Sequence, residues 1–219
     1  DAVVSRGLGD VYKRQAFVSL VSPHFPLRAP PEFYNLYADA DIDLEPQQLP
    51  YHPEIRNLAR FFDYERHFTD ETRHAAMAGY FGLTSFLDDC VGEILATLEE
   101  SGQAEDTVIL YLSDHGELLG DKGMWTKQVM YEASAGIPMI LAGPGVPDGL
   151  VSNTAASIVD VAAAALDVML DTSDDSAPGL SLRQLAQDPD DADRTVLCEY
   201  HDGGSTTGAF TVSYTHLTL

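Results

Sequence analysis

Apolar residues in this chain gather into short unbroken runs that end on polar residues and are separated by longer amphipathic stretches. Residues 108–112, Val-Ile-Leu-Tyr-Leu, form one such run, the pattern of a strand buried on both faces of a largely parallel sheet. Residues 17–21 form a second, and residues 139–142 a third that closes on the turn Gly143-Pro144-Gly145, a strong breaker signal. Between the first two in chain order, residues 69–100 read as one long helix, opened by Thr69 or Asp70 as N-cap. Within it Tyr80, Leu83, Leu87, Val91, Ile94 and Leu98 recur at three- and four-residue steps, one stripe suited to face a sheet. Residues 151–170 predict a second helix rich in small side chains, and residues 196–201 a further strand. Residues 171–193 are acidic and carry Pro178, Gly179 and Pro189, which predicts exposed loops around the short segment 180–185. The elements predict an α/β fold, a largely parallel sheet flanked by helices.

Chemistry concentrates where the strands end. Ser113, Asp114, His115 and Gly116 follow the 108–112 run, and the carboxyl edge of an open α/β sheet is where ligands bind. Asp114 offers hard carboxylate oxygens, His115 an imidazole nitrogen, and Gly116 a tight turn behind them. From the tripeptide alone, Asp114 serves equally well as the cap of a helical turn. The 17–21 run enters Ser22-Pro23-His24-Phe25-Pro26, in which prolines stiffen the backbone on both sides of His24. Such a histidine is either aimed at a ligand or an ordinary turn residue. Asp88 and Asp89 on the long helix read as a solvated face rather than a catalytic carboxylate pair.

Downstream of Gly116, the residues Gly120, Asp121, Gly123, Trp125, Lys127, Tyr131, Glu132 and Pro138 follow at set offsets. With Asp114 and His115 they resemble the sulfatase family of the alkaline-phosphatase-like superfamily, whose pattern reads S-D-H-G-E-x-L-G-[DE]-H-G-x-W-x-K-x-x-x-Y-E-x-S-x-R-[VI]-P. The chain departs from it at Lys122, where the family usually has His, and at Gly136, where an Arg commonly sits. Ser22-Pro23-His24-Phe25-Pro26 resembles the family's P-H-x-P turn, and Leu87-Asp88-Asp89-Cys90-Val91-Gly92 its L-D-x-x-V-G helix. Residues 151–170 match in part: Asp160 and the apolar spacing agree, but Ala163, Ala164 and Ala165 replace a Pro-Thr.

The resemblance implies that Asp114 and His115 ligate a divalent cation, calcium in the first instance, together with aspartates encoded upstream. It further implies that Lys127 binds a sulfate oxygen and the bridging ester oxygen, that His24 hydrogen-bonds the leaving or a sulfate oxygen and acts as general acid, and that Lys122 lies near the substrate. The family nucleophile, a Cys or Ser in C/S-x-P/A-x-R oxidised to formylglycine, is expected on a missing N-terminal part. Cys90 and Cys198 lack its proline and arginine and read as small buried residues. Two distant cysteines give neither a disulfide framework nor zinc spacing.

The two ends read differently from the middle. Residues 5–15, SRGLGDVYKRQ, and residues 211–219, TVSYTHLTL, resemble translations of one transposase-type sequencing adapter and of its reverse complement. Scars of this kind are excluded from fold reasoning. The expected organisation is therefore 1–15 adapter-derived, 16–170 the C-terminal part of a catalytic α/β domain, 171–210 the start of a smaller C-terminal subdomain, and 211–219 adapter-derived.

Composition narrows the partners. With 45% hydrophobic residues the chain has material for one sizeable core, and no apolar run has transmembrane length. A net charge of −23 argues against nucleic acid and anionic membranes as partners. A sulfate ester would then be attracted only by local cations: Lys127, Lys122, His24 and the metal. The parent is expected to hydrolyse a small-molecule sulfate ester to an alcohol and sulfate, and this chain alone to show no turnover. A phosphonate or phosphate ester hydrolase of the same superfamily and a non-catalytic metal- or anion-binding homologue are the alternatives. Phe25, Tyr34 and Trp125 are the aromatics available to a leaving group.

Overall fold

The computed structural model describes residues 3–6, 15–44, 46, 50, 52–170, 178–201 and 209–214. In chain order the elements are β1 (Val3–Arg6), β2 (Ala16–Ser19), α1 (Pro31–Tyr34), α2 (Pro53–Phe62), α3 (Asp70–Glu100), β3 (Ile109–Leu112), α4 (Glu132–Ala135), β4 (Met139–Ala142), α5 (Ile158–Leu170), α6 (Leu182–Leu185), β5 (Val196–His201) and β6 (Ala209–Tyr214). They fall into two compact units, Asp1–Pro46 with Glu65–Ala104, and Gln47–Tyr64 with Glu105–Leu219. The acidic segment 171–177, and 7–14 and 215–219 of the two ends, lie outside the described residues.

In the first unit β1 pairs antiparallel with β2, Val3 opposite Ser19 and Arg6 opposite Ala16. Helix α3 begins as the sequence predicts. The Thr69 hydroxyl accepts the Thr72 N–H at 3.3 Å while the Thr72 hydroxyl accepts the Thr69 N–H at 2.8 Å, a reciprocal capping box. Asp70 and Glu71 in its first turn complement the positive end of the helix dipole. Its packing partner within the unit is α1, where the apolar stripe had led us to expect a sheet. Glycines set this contact: a Cβ on Gly79 would stand 2.4 Å from the Leu27 carbonyl oxygen, and one on Gly82 2.8 Å from Ala29 Cβ. Tyr37 reaches the Ser85 hydroxyl at 2.8 Å, and Phe33 meets Phe86 edge-on at 5.5 Å. The buried residues of α3, Arg73, Ala78, Gly79, Gly82 and Leu83, all lie in its first half, whereas Ile94 and Leu95 are exposed.

In the second unit β3 and β4 pair antiparallel, Ile109 opposite Ala142 and Leu112 opposite Met139. Parallel neighbours were expected from the apolar run. A parallel return needs a crossover, usually a helix, but residues 113–138 are occupied by a structured loop and the four-residue α4. Each residue of β3 is half-buried. β5 and β6 form another antiparallel pair, so the sheets of this α/β chain are partial. Helix α2 went unread in the sequence, although Pro53 at its first turn is a common helix start. Its Ile55, Leu58, Ala59 and Phe62 pack with Leu118, Met124, Val129 and Tyr131, an i, i+3, i+4, i+7 stripe.

Helix α5 begins at Ile158 rather than at residue 151. The preceding residues are used otherwise: the Asn153 and Thr154 N–H groups both donate to the Pro189 carbonyl, at 2.6 and 3.0 Å. Asp160 then gathers three strands of chain. Its carboxylate accepts the Ser157 N–H at 2.8 Å, the Leu180 N–H at 2.9 Å and the Arg194 guanidinium at 2.7 Å, and the residue is 1% exposed. Deleting one partner of such a pair strands a buried charge. Asp160→Ala is expected to destabilise the chain by about 3–5 kcal/mol, read as a lowered urea midpoint. An unchanged midpoint would contradict this role.

Candidate active site

At the end of β3 the chain turns through Ser113, Asp114, His115 and Gly116. The Ser113 hydroxyl donates to the His115 carbonyl at 2.8 Å, and Asp114 Oδ1 accepts the His115 N–H at 3.0 Å. No helix opens at Asp114, so the capping alternative is not what the chain does here. Its side chain is 79% exposed, with Oδ2 3.6 Å from His115 Nε2. His115 Nδ1 lies 2.8 Å from the Gly116 carbonyl oxygen. A carbonyl only accepts, so Nδ1 carries the proton and the neutral ring has its lone pair on Nε2. A carboxylate oxygen and an imidazole nitrogen at this spacing can both reach one cation, given metal–oxygen distances of about 2.3–2.6 Å and metal–nitrogen distances near 2.1 Å. Gly116 admits no side chain, because a Cβ would meet the Ala133 carbonyl oxygen at 2.2 Å. Its N–H donates to Ser134 O at 2.8 Å, which ties the turn to α4.

The following loop doubles back on the same spot. Leu118 N–H donates to Thr126 O at 2.8 Å, and Gly120 N–H to Met124 O at 2.8 Å. The Glu117 carboxylate closes the loop by accepting the N–H groups of Thr126 and Leu119. Thr126 therefore sits against residues 117 and 118, and Lys127 is the next residue along. Gln128 Oε1 accepts the Lys127 N–H at 3.2 Å. Of the four non-glycine residues with positive φ among the described residues, three are in this loop: Leu119 (48°), Lys122 (53°) and Thr126 (70°). Each left-handed residue costs about 1–2 kcal/mol, and the burial of Leu118, Met124 and Val129 against Leu58 and Ala59 of α2 offsets it.

The Lys122 ammonium lies 3.0 Å from Asp121 Oδ1 and 5.6 Å from the centroid of the Tyr131 ring. Burial pushes the Tyr131 phenol above its usual pKa, with Lys122 pulling it down and Asp121 pushing it up. The glycine at 136 has a local reason too: a Cβ there would stand 2.4 Å from Glu132 Oε1 and 2.8 Å from its carbonyl oxygen.

His24 belongs to the other unit. Its N–H donates to Val21 O at 3.0 Å, and the peptide bonds Ser22–Pro23 and Phe25–Pro26 are cis. Its Nδ1 stands 2.9 Å from the Phe25 carbonyl oxygen, and its ring stacks on Phe25 at 4.2 Å. The ring is exposed, as is Phe25, while Tyr34 is half-buried and Trp125 buried. Among the described residues, then, Asp114 and His115 meet directly, Lys122 and Lys127 lie on the loop that closes on Glu117 and Leu118, and His24 lies on the turn of residues 22–26. No group of three or more His, Cys, Asp or Glu side chains suited to a metal occurs among the described residues. Asp88 and Asp89 are exposed on α3, and Cys90 and Cys198 are half-buried free thiols. Burial raises the Cys198 pKa, which lowers its thiolate fraction. Sequence reasoning assigned no role to Glu117, whose position inside the spaced pattern was the available signal.

A family model described as Sulfatase matches residues 13–172. The chain belongs to the sulfatase family. It is 36% identical over 142 residues to a choline-sulfatase of Rhizobium meliloti (strain 1021), covering 61% of this chain and 27% of that protein. It is 27% identical over 210 residues to an arylsulfatase of Clostridium perfringens, covering 90% and 42%. Among solved structures, a phosphonate monoester hydrolase from Silicibacter pomeroyi superposes with a TM-score of 0.75 at 28% identity, covering 87% of this chain and 44% of that one. The chain thus spans less than half the length of each of these relatives.

Two glycines separate close packing from helix propensity. Gly116→Ala is expected to cost about 1–3 kcal/mol, because the new methyl must displace backbone. Gly92→Ala in α3, with nothing within 4 Å of its Cβ, is expected to gain about 0.5–1 kcal/mol. Chemical denaturation of both variants checks the pair of opposite signs.

Proposed function

We propose that the full-length protein hydrolyses a small-molecule sulfate ester, R–O–SO3⁻ plus water giving R–OH and hydrogen sulfate. The observation that carries this reading is the Asp114–His115 pair, 3.6 Å apart just after β3, followed by a loop that closes on Glu117 and Leu118 immediately before Lys127. Asp114 and His115 are proposed to hold a divalent cation, calcium in the first instance, and their donor chemistry and spacing fit one. When bound, such a cation draws negative charge from the sulfate oxygens and orients the nucleophile. Lys127 is proposed to bind a sulfate oxygen and the bridging oxygen, so that its charge grows in value as the bond to the alcohol breaks. His24 is proposed to protonate the leaving oxygen from Nε2, since Nδ1 is held by the Phe25 carbonyl. Lys122 adds positive charge near the anion, which a chain of net charge −23 must supply locally.

The nucleophile is proposed to be a formylglycine outside residues 16–210. Residues 16–170 are assigned to the C-terminal part of the catalytic α/β domain and 171–210 to the start of a smaller subdomain, with 1–15 and 211–219 adapter-derived. A second reading, phosphonate monoester hydrolysis, is favoured by the Silicibacter pomeroyi likeness. Turnover of 4-nitrophenyl sulfate and of 4-nitrophenyl phenylphosphonate by the full-length protein decides between them through the ratio of kcat/KM values.

In that protein Lys127→Ala is expected to lower kcat by about 10²–10³, and unchanged turnover would remove the lysine from the mechanism. Asp114→Ala and His115→Ala are each expected to weaken calcium binding about 10–100-fold, measured calorimetrically after chelator treatment. Wild-type affinity in both variants would place the cation elsewhere.

A further inference from the structure

Resting on the reading above, we propose that Lys122 is a positioning residue: it braces the loop that presents Lys127, with its ammonium clamped between the Asp121 carboxylate and the Tyr131 ring. The ammonium is 3.0 Å from Asp121 Oδ1 and lies over the Tyr131 ring, 5.6 Å from its centroid. An aromatic face attracts a cation within about 6 Å of its centroid, so the two contacts hold the same charge from separate parts of the chain. Asp121 and Lys122 form the single turn Asp121–Gly123 at the tip of the loop. Tyr131 lies beyond Lys127 and immediately precedes α4. The clamp therefore joins the tip of the loop to its exit, with Trp125 and Lys127 between the two anchors.

Other features say why a lysine in this conformation is tolerated. Lys122 has φ of 53°, a conformation that an L-residue adopts at a cost. Its neighbours Gly120 and Gly123 also have positive φ, 94° and 70°, and Met124 behind them is fully buried. Tyr131 packs against the same cluster of Leu118, Met124 and Val129, so the ring under the ammonium is fixed from below. A direct anion ligand and a brace make opposite demands on Asp121. A lysine that contacts sulfate is weakened by a neighbouring carboxylate, whereas a brace needs that carboxylate.

Trp125 lies inside the braced segment, is 6% exposed, and is the single tryptophan of the chain. Its emission thus reports this loop. Lys122→Asn removes the clamp while keeping a side chain that tolerates the left-handed conformation, and Asp121→Asn removes the charge with little change of shape. In the 219-residue chain, both variants are expected to red-shift Trp125 emission and to raise acrylamide quenching about twofold as the loop opens locally. The double variant is expected to do no more than either single one. In the full-length protein, both are expected to lower kcat for 4-nitrophenyl sulfate by about tenfold, as a misplaced catalytic group does. Unchanged emission in both single variants, or additive effects in the double one, overturns the brace. So does an Asp121→Asn enzyme with lowered KM beside a Lys122→Asn enzyme with raised KM, the result for direct anion contact. Absence of turnover in the wild type overturns the sulfatase reading instead, and the emission of the variants still decides the brace.

Discussion

The return of Thr126 to Glu117 and Leu118 is the constraint on which the loop after β3 depends. Leu118 donates to the Thr126 carbonyl at 2.8 Å and Glu117 receives the Thr126 N–H, so a nine-residue excursion closes on the residues that follow the Asp114–His115 turn. A loop of this kind otherwise has no reason to bring a lysine back to a particular place. Two backbone contacts and one carboxylate close this loop on Glu117 and Leu118, with Lys127 the next residue after its closing point. The left-handed conformations of Leu119, Lys122 and Thr126 are what it costs to make the chain double back so tightly.

That cost is met in the core rather than at the site. Leu118, Met124 and Val129 bury themselves against Leu58 and Ala59, so α2 acts as the floor of the loop although it contributes no chemical group. Burial of a side chain such as Leu or Met stabilises by about 1.5–3 kcal/mol, comparable with one or two left-handed residues. Gly116 is fixed separately, since the Ala133 and Gly136 carbonyls approach too closely for a Cβ and its N–H is bonded to the Ser134 carbonyl. The turn is thus tied to α4 through Gly116, and the loop after it rests on α2.

Much of this was legible in the residues. The N-cap and extent of α3, the strands near 16–19, 109–112 and 139–142, and the sulfatase family itself follow from local patterns that tertiary structure did not override. Asp114 and His115 were legible as a pair because they are adjacent in sequence, so their meeting needs only a turn. What escaped were relations between distant segments. Helix α5 lost its first seven expected residues because the Pro189 carbonyl takes the N–H groups of Asn153 and Thr154, a partner no window of periodicity contains. The antiparallel pairing of β3 with β4 escaped for the same reason, since an apolar run reports burial but not the direction of its neighbour. Lys122 stands out in the sequence as a charge near the substrate, at a position where the family usually has His. Its contacts with Asp121 and Tyr131 belong to the fold of the loop.

The two histidines share a further property. In His24 and in His115 alike, Nδ1 faces the carbonyl of the very next residue, at 2.9 and 2.8 Å. The tautomer of each imidazole is therefore set within a dipeptide. Segment exchange among related chains would carry each ring across with its tautomer already set. Such a residue is portable in evolution: the scaffold around it is free to drift so long as it keeps the turn in place.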